Sequence, residues 1–82
     1  MSAYRILVID DDREVRSSLV ELIEAAGWSA RPLARAVEAQ RWIHQFSPDV
    51  ILSDLRMPEM TGLELLEQLH TQAAPPVVLI SA

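Results

Sequence analysis

Two stretches of the chain end apolar runs on carboxylates. Ile6-Leu7-Val8-Ile9 runs into Asp10-Asp11-Asp12, and Val50-Ile51-Leu52 runs through Ser53 into Asp54. An acid in such a place is either a turn former or a reagent. Three or four carboxylates gathered in one crevice repel one another, so some would take up protons rather than stay ionised together. A divalent cation resolves the conflict. An all-oxygen donor set, with no His nearby and no Cys in the chain, favours a hard ion such as Mg2+. That ion typically takes only about one or two carboxylates, keeps several waters and leaves room for a phosphate oxygen. A carboxylate can also be the nucleophile, attacking a phosphoryl group to give an aspartyl phosphate. The metal then neutralises charge that builds on the equatorial oxygens during in-line transfer.

For this chemistry the two stretches must meet. The continuous apolar run before Asp10 reads as a strand buried on both faces. Val15, Leu19, Leu22, Ile23 and Ala26 follow at helical spacing, closed by Gly27. Trp28 to Leu33 is a weaker strand, placed at a sheet edge by Pro32. Val37, Ala39, Trp42, Ile43 and Phe46 trace a second helical stripe, ended by Ser47-Pro48. Val50-Ile51-Leu52 is the third strand, Gly62 to His70 a third helix, and Val77-Val78-Leu79-Ile80 a fourth buried strand that ends at Ser81-Ala82. Alternating strands and helices imply a parallel sheet with right-handed crossovers. Ligands of a doubly wound sheet sit beyond the C-terminal strand ends, where the strand order reverses. Two strand orders are plausible for so few strands; with the order 2-1-3-4 that crevice lies between strands 1 and 3, which would bring Asp10, Asp11 and Asp54 together.

Val8-Ile9-Asp10-Asp11-Asp12, Asp54-Leu55-Arg56-Met57-Pro58, Gly62 and the strand ending in Ser81-Ala82 together resemble the receiver domain of two-component response regulators. The match is ordered and runs the whole length of the chain. The resemblance implies a flavodoxin-like α/β fold in which Asp54 accepts a phosphoryl group from a sensor histidine kinase and relays the signal to an output domain. It also implies that Asp11 ligates Mg2+ directly and that Asp10 acts largely through water. The Arg56 backbone carbonyl would complete the protein's share of ligands, and Ser81 would hydrogen-bond the phosphoryl group and report its presence. Pro58 and Gly62 would shape the loop after Asp54, proline by presetting φ and glycine by permitting close approach or positive φ. The motifs most resemble receivers attached to AAA+ enhancer-binding transcriptional activators.

The pattern departs from a full receiver at its end. Residues 1–82 would form a partial receiver that stops at the fourth strand, without the fifth βα unit, the fourth helix or the family's phosphate-contacting lysine. The chain contains no lysine at all, so Mg2+ binding is expected to survive while phosphorylation is slow. The sheet face beside the first helix should be bare, and an uncovered apolar face favours a homodimer or a domain swap.

Other readings of the same residues stay open. Asp10-x-Asp12 and Ile80-Ser81 also fit a phosphohydrolase of the haloacid-dehalogenase type, with Asp10 as nucleophile and Asp12 as general acid/base. That reading leaves Asp54-Leu-Arg-Met-Pro without a role and puts Glu14 where a smaller residue is expected. A non-catalytic dimerisation module is the third reading. Taken singly, Asp12 suits a helix N-cap, Asp54 an Asx-type turn, and Arg13, Arg16, Glu21 and Glu24 a solvated helix face. Trp28, Trp42 and Phe46 are expected to serve packing.

Composition narrows the classes. Eighty-two residues, half of them hydrophobic, make one small globular domain with a thin stability margin. The net charge is −5 and all seven basic residues are arginine, which argues against direct nucleic-acid binding. No apolar stretch approaches the roughly 18–20 residues of a membrane span, and the N-terminus has no signal-peptide pattern. A cytoplasmic location is the expectation that follows, and a chain regarded as a signalling phosphoacceptor is not expected to be an enzyme.

Overall fold

In the computed structural model, which describes residues 3–57, 59–70 and 74–80, the chain folds as a four-stranded parallel sheet with helices on both faces. The elements are β1 (Arg5–Ile9), α1 (Arg13–Ala25), β2 (Ser29–Leu33), a 3-10 turn (Ala36–Glu38), α2 (Ala39–Phe46), β3 (Val50–Asp54), α3 (Gly62–His70) and β4 (Val77–Ile80). The strand order is β2-β1-β3-β4, the doubly wound order expected from the sequence. Ser81 and Pro58 lie outside the described residues, as do the expected roles of both.

Alternate residues of β1 supply two cores. Leu7 and Ile9 face α2 and α3 and pack with Leu33, Ala36, Ala39, Ile51, Met57, Leu65 and Leu69. Ile6 and Val8 face α1 and pack with Ile23, flanked by Leu19, Ala30 and Leu52. A strand buried on both sides has to be apolar throughout, which is why Ile6-Leu7-Val8-Ile9 contains no polar residue. Each large side chain removed from water here contributes about 1.5–3 kcal/mol.

Local chemistry sets the helix ends. Asp12 Oδ1 accepts the backbone N–H groups of Glu14 (2.9 Å) and Val15 (3.2 Å), capping α1. At the other end Gly27 adopts φ +88°, and Trp28 N–H reaches back to the Ile23 carbonyl at 3.2 Å, a Schellman termination. For α3, Thr61 Oγ1 accepts Glu64 N–H and Glu64 Oε1 accepts Thr61 N–H, both at 3.1 Å. This reciprocal capping box fixes where the helix begins.

Several side chains depart from the periodic expectation. Val37 is exposed because Ala36–Glu38 form a 3-10 turn, whose tighter winding buries Ala36 and then Ala39 instead. Leu22 is 69% exposed and Val15 is also exposed, so only Ile23 of the α1 stripe is fully buried. Expected as a buried strand, β4 has no fully buried residue, and Val78 is 49% exposed. The register explains Val78: it stands beside Leu52, on the α1 side of the sheet, but at the β4 edge, while α1 lies over β1 and β2.

A carboxylate site at the strand switch

Parallel pairing of β1 with β3 runs through Ile9↔Ser53, so each strand delivers an acid one residue later, Asp10 from β1 and Asp54 from β3. With Asp11 they form a cluster in which one carboxylate oxygen of each residue lies within 4.8 Å of the other two. Asp10 is buried, Asp54 half-buried and Asp11 exposed, so the cluster opens from a dry floor to a wet mouth.

Backbone contacts hold two of the three. Asp12 N–H donates to Asp10 Oδ1 at 2.8 Å, and Arg56 N–H donates to Asp54 Oδ1 at 3.2 Å. The second contact is the Asx-type geometry that the sequence allowed, so turn former and candidate reagent are one residue. Arg56 therefore reaches the cluster through its backbone, and its side chain is exposed. Arg16, expected on a solvated face, is instead half-buried, and its Nη1 donates to the Asp10 main-chain carbonyl at 2.8 Å. That bond ties α1 to the end of β1, and among the described residues the carboxylate has no cationic partner.

Burial pushes the Asp10 carboxyl above its ordinary range, opposed by the Asp12 N–H and reinforced by the charges of Asp54, Asp11 and Asp12. A group that resists ionisation among other carboxylates is where a cation has most to offer. The donors fit Mg2+ in kind: among the described residues the cluster has three carboxylates and no His or Cys, and no backbone N–H donates to the second oxygens of Asp10 and Asp54.

Beside Asp11, Arg35 and Glu59 form a bidentate ion pair, with Arg35 Nε donating to Glu59 Oε1 at 2.6 Å. The pair lowers the Glu59 carboxyl through the Arg35 hydrogen bonds and joins the segment after β2 to the segment after β3. A cavity of about 210 Å3 lies there, lined by Asp11, Ala34, Ala36, Met57 and Met60 as well as the pair. Sequence reasoning missed this bridge because its partners are 24 residues apart and each sits in a loop. The capping box was missed for a different reason, since Thr61-x-x-Glu64 is a readable local signature.

The profile of the response regulator receiver domain matches residues 6–82. The chain belongs to the response regulator receiver domain family. The receiver of the C4-dicarboxylate transport transcriptional regulatory protein DctD from Pseudomonas aeruginosa is similar, 40% identical over 78 residues, covering 94% of this chain and 17% of that protein. Protein-glutamate methylesterase/protein-glutamine glutaminase 3 from Rhodospirillum rubrum is 37% identical over 79 residues, covering 95% of this chain and 21% of that one. Among solved structures, a response regulator receiver protein from Pseudomonas putida superposes with a TM-score of 0.89 at 27% identity, covering 99% of this chain and 69% of the other. The chain thus spans a third or less of the curated relatives it matches and about two thirds of such solved receivers.

Solved receivers share the flavodoxin-like arrangement seen here, and the phosphoacceptor role follows from the family. Receivers of response regulators are phosphorylated by histidine kinases and bind Mg2+ at an acidic pocket of this kind. A transcriptional regulator and a methylesterase among the relatives share the receiver alone, so likeness in this portion does not select an output. No helix of the described residues is long and apolar enough to cross a membrane.

Proposed function

We propose that Asp54 is the residue that receives the phosphoryl group, in the cytoplasm, from a sensor histidine kinase, on behalf of an output domain that acts in transcription. The supporting observation is the convergence of the Asp54, Asp10 and Asp11 carboxylates at the switch between β1 and β3. Asp10, Asp11 and Asp54, with the Arg56 backbone carbonyl, would hold Mg2+. When bound, that ion supplies positive charge to the transferring phosphoryl oxygens. The rest of the chemistry belongs to the chain. The Asp54 oxygen attacks phosphorus, and the bond from phosphorus to the donor breaks with its electron pair leaving on the donor. Arg56 N–H holds Asp54 Oδ1, which leaves Oδ2 as the attacking atom. Ser81 would donate a hydrogen bond to the transferred group.

Treatment with acetyl phosphate and Mg2+, followed by reductive trapping and peptide mapping, is expected to place the label on Asp54. Label on Asp10 would support the phosphohydrolase reading instead. The structure weakens that alternative, because Asp12, its general acid/base, is engaged by two backbone N–H groups as the α1 cap.

The reading includes self-association. Val78 is exposed on the α1 side of the sheet, and Leu52 and Ile80 of the same face are half-buried, so a second copy covering β3 and β4 would remove apolar surface from water. Light scattering during size-exclusion chromatography is expected to show a concentration-dependent dimer. A folded monomer at every concentration would overturn this part.

A further inference from the structure

Away from the carboxylate site, three guanidinium groups lie against two aromatic rings. Arg31 Cζ stands 3.8 Å from the centroid of the Trp42 ring, Arg41 Cζ 5.7 Å from the same ring, and Arg5 Cζ 5.9 Å from the Phe46 ring. The register produces this. Arg31 pairs with Leu7 and alternates with Leu33, so it projects from β2 toward α2, and Arg5 does so from β1. Trp42 and Phe46 stand four residues apart on α2 and pack half-buried against the core. Their inner faces serve packing, as expected from the sequence, and the arginines sit on them from outside.

All three arginines are exposed, and among the described residues none has a carboxylate at ion-pairing distance. Arg5 Nη1 donates to the Phe46 carbonyl at 3.0 Å, while the nearby Asp49 carboxylate accepts the Arg5 backbone N–H rather than its guanidinium. Stacking on an indole fixes the guanidinium plane and leaves its N–H edges free for a planar anion. A chain of net charge −5 therefore carries, on the α2 side of the sheet, three arginines without a carboxylate partner among the described residues.

We propose that the face formed by Arg5, Arg31 and Arg41 is a docking surface for an acidic protein segment, whose carboxylates accept paired bonds from Arg31 and Arg41. Charge selects this occupant. Nucleic acids and anionic membranes are extended polyanions, which the net negative charge of the chain repels and three arginines hold weakly. A short acidic segment meets only the local field and matches the fork geometry of arginine. Recognition runs through side chains rather than by strand addition, because the edge strand β2 carries Pro32, which has no N–H to offer.

The test is NMR titration of the 15N-labelled chain with a synthetic hexaglutamate peptide. Saturable shifts are expected at Arg31, Arg41 and the Trp42 indole N–H. Arg31→Gln and Arg41→Gln should each weaken binding by about tenfold, the size of one lost charge-assisted bond. Arg13→Gln, the same charge change on α1, should leave affinity within about twofold. Equal loss in Arg13→Gln would show a response to net charge alone and overturn the proposal. So would the absence of saturable shifts, or stronger binding to inorganic phosphate, duplex DNA or phosphatidylglycerol vesicles than to hexaglutamate.

Discussion

Gly62→Ala is expected to destabilise the chain by on the order of 1–2 kcal/mol and to disturb the carboxylate site with it. A Cβ at position 62 would lie 2.6 Å from the Asp54 carbonyl oxygen, 2.7 Å from Leu79 Cδ2 and 3.2 Å from Leu55 Cα. The Leu79 methyl can rotate away. The Asp54 oxygen and Leu55 Cα are backbone, and Gly62 N–H is itself bonded to the Leu55 carbonyl at 3.0 Å, so the first turn of α3 cannot slide aside without breaking that bond. Overpacking of this kind costs about 1–3 kcal/mol. Alanine recovers at most about 1 kcal/mol of helix propensity, and less at the first position of a helix, so the clash wins. In a domain this small each kcal/mol lowers the melting temperature by about 4–8 °C. A melt followed by circular dichroism measures the loss, and a Mg2+ titration of the same variant reads the displacement of Asp54. A melting temperature at or above that of the unsubstituted chain would contradict the clash.

Gly62 also shows how far the sequence could be read. A glycine after Asp54 signalled either positive φ or close approach, and only the packed structure selects close approach. The strand ends at Asp10 and Asp54 were legible because a strand buried on both faces must be apolar throughout and must end where a polar residue appears, whereas the order that brings them together came from the family resemblance. The exposure of Leu22, Val37 and Val78 was not legible. Periodicity reports which side of an element a residue occupies, but not whether another element reaches that far. Arg16 was misjudged for the same reason, since a charged residue on a helix looks solvated until its partner arrives from elsewhere.

The relatives show what such a domain is separable from. One belongs to a transcriptional regulator and another to a methylesterase, yet each aligns with more than nine tenths of this chain. In this chain the acids are gathered by the layer of strand ends. Surfaces such as the Arg31–Trp42–Arg41 face lie away from that layer, on the edge strand and the helix beside it, so partner choice can change there without touching the carboxylates.

The second large effect concerns Asp10 and has opposite signs with and without metal. Asp10→Asn should raise the stability of the metal-free chain at pH 7 by on the order of 1 kcal/mol, against the usual direction of a core substitution. Asp10 is 5% exposed, and burial and neighbouring acids raise its folded pKa above the unfolded value. The folded state then holds this proton more tightly than the unfolded state does. Stability therefore falls as pH rises from the unfolded pKa through the folded one, and above both the ionised carboxylate is a standing penalty. Asparagine removes the charge and keeps an oxygen for the Asp12 N–H, which donates to Asp10 Oδ1 at 2.8 Å. The advantage of the variant should shrink as pH is lowered through the folded pKa, because the unsubstituted residue then becomes neutral too. Added Mg2+ should reverse the ranking. An ion that binds only the folded state stabilises it by RT ln(1 + c/Kd) at free Mg2+ concentration c, and the variant, having lost one carboxylate from the set, has the larger Kd. Urea melts at pH 7 and at acid pH, each with and without Mg2+, measure all four corners. A variant less stable than the unsubstituted chain without metal at pH 7, or equally stabilised by Mg2+, would show that Asp10 is not the strained member of the cluster.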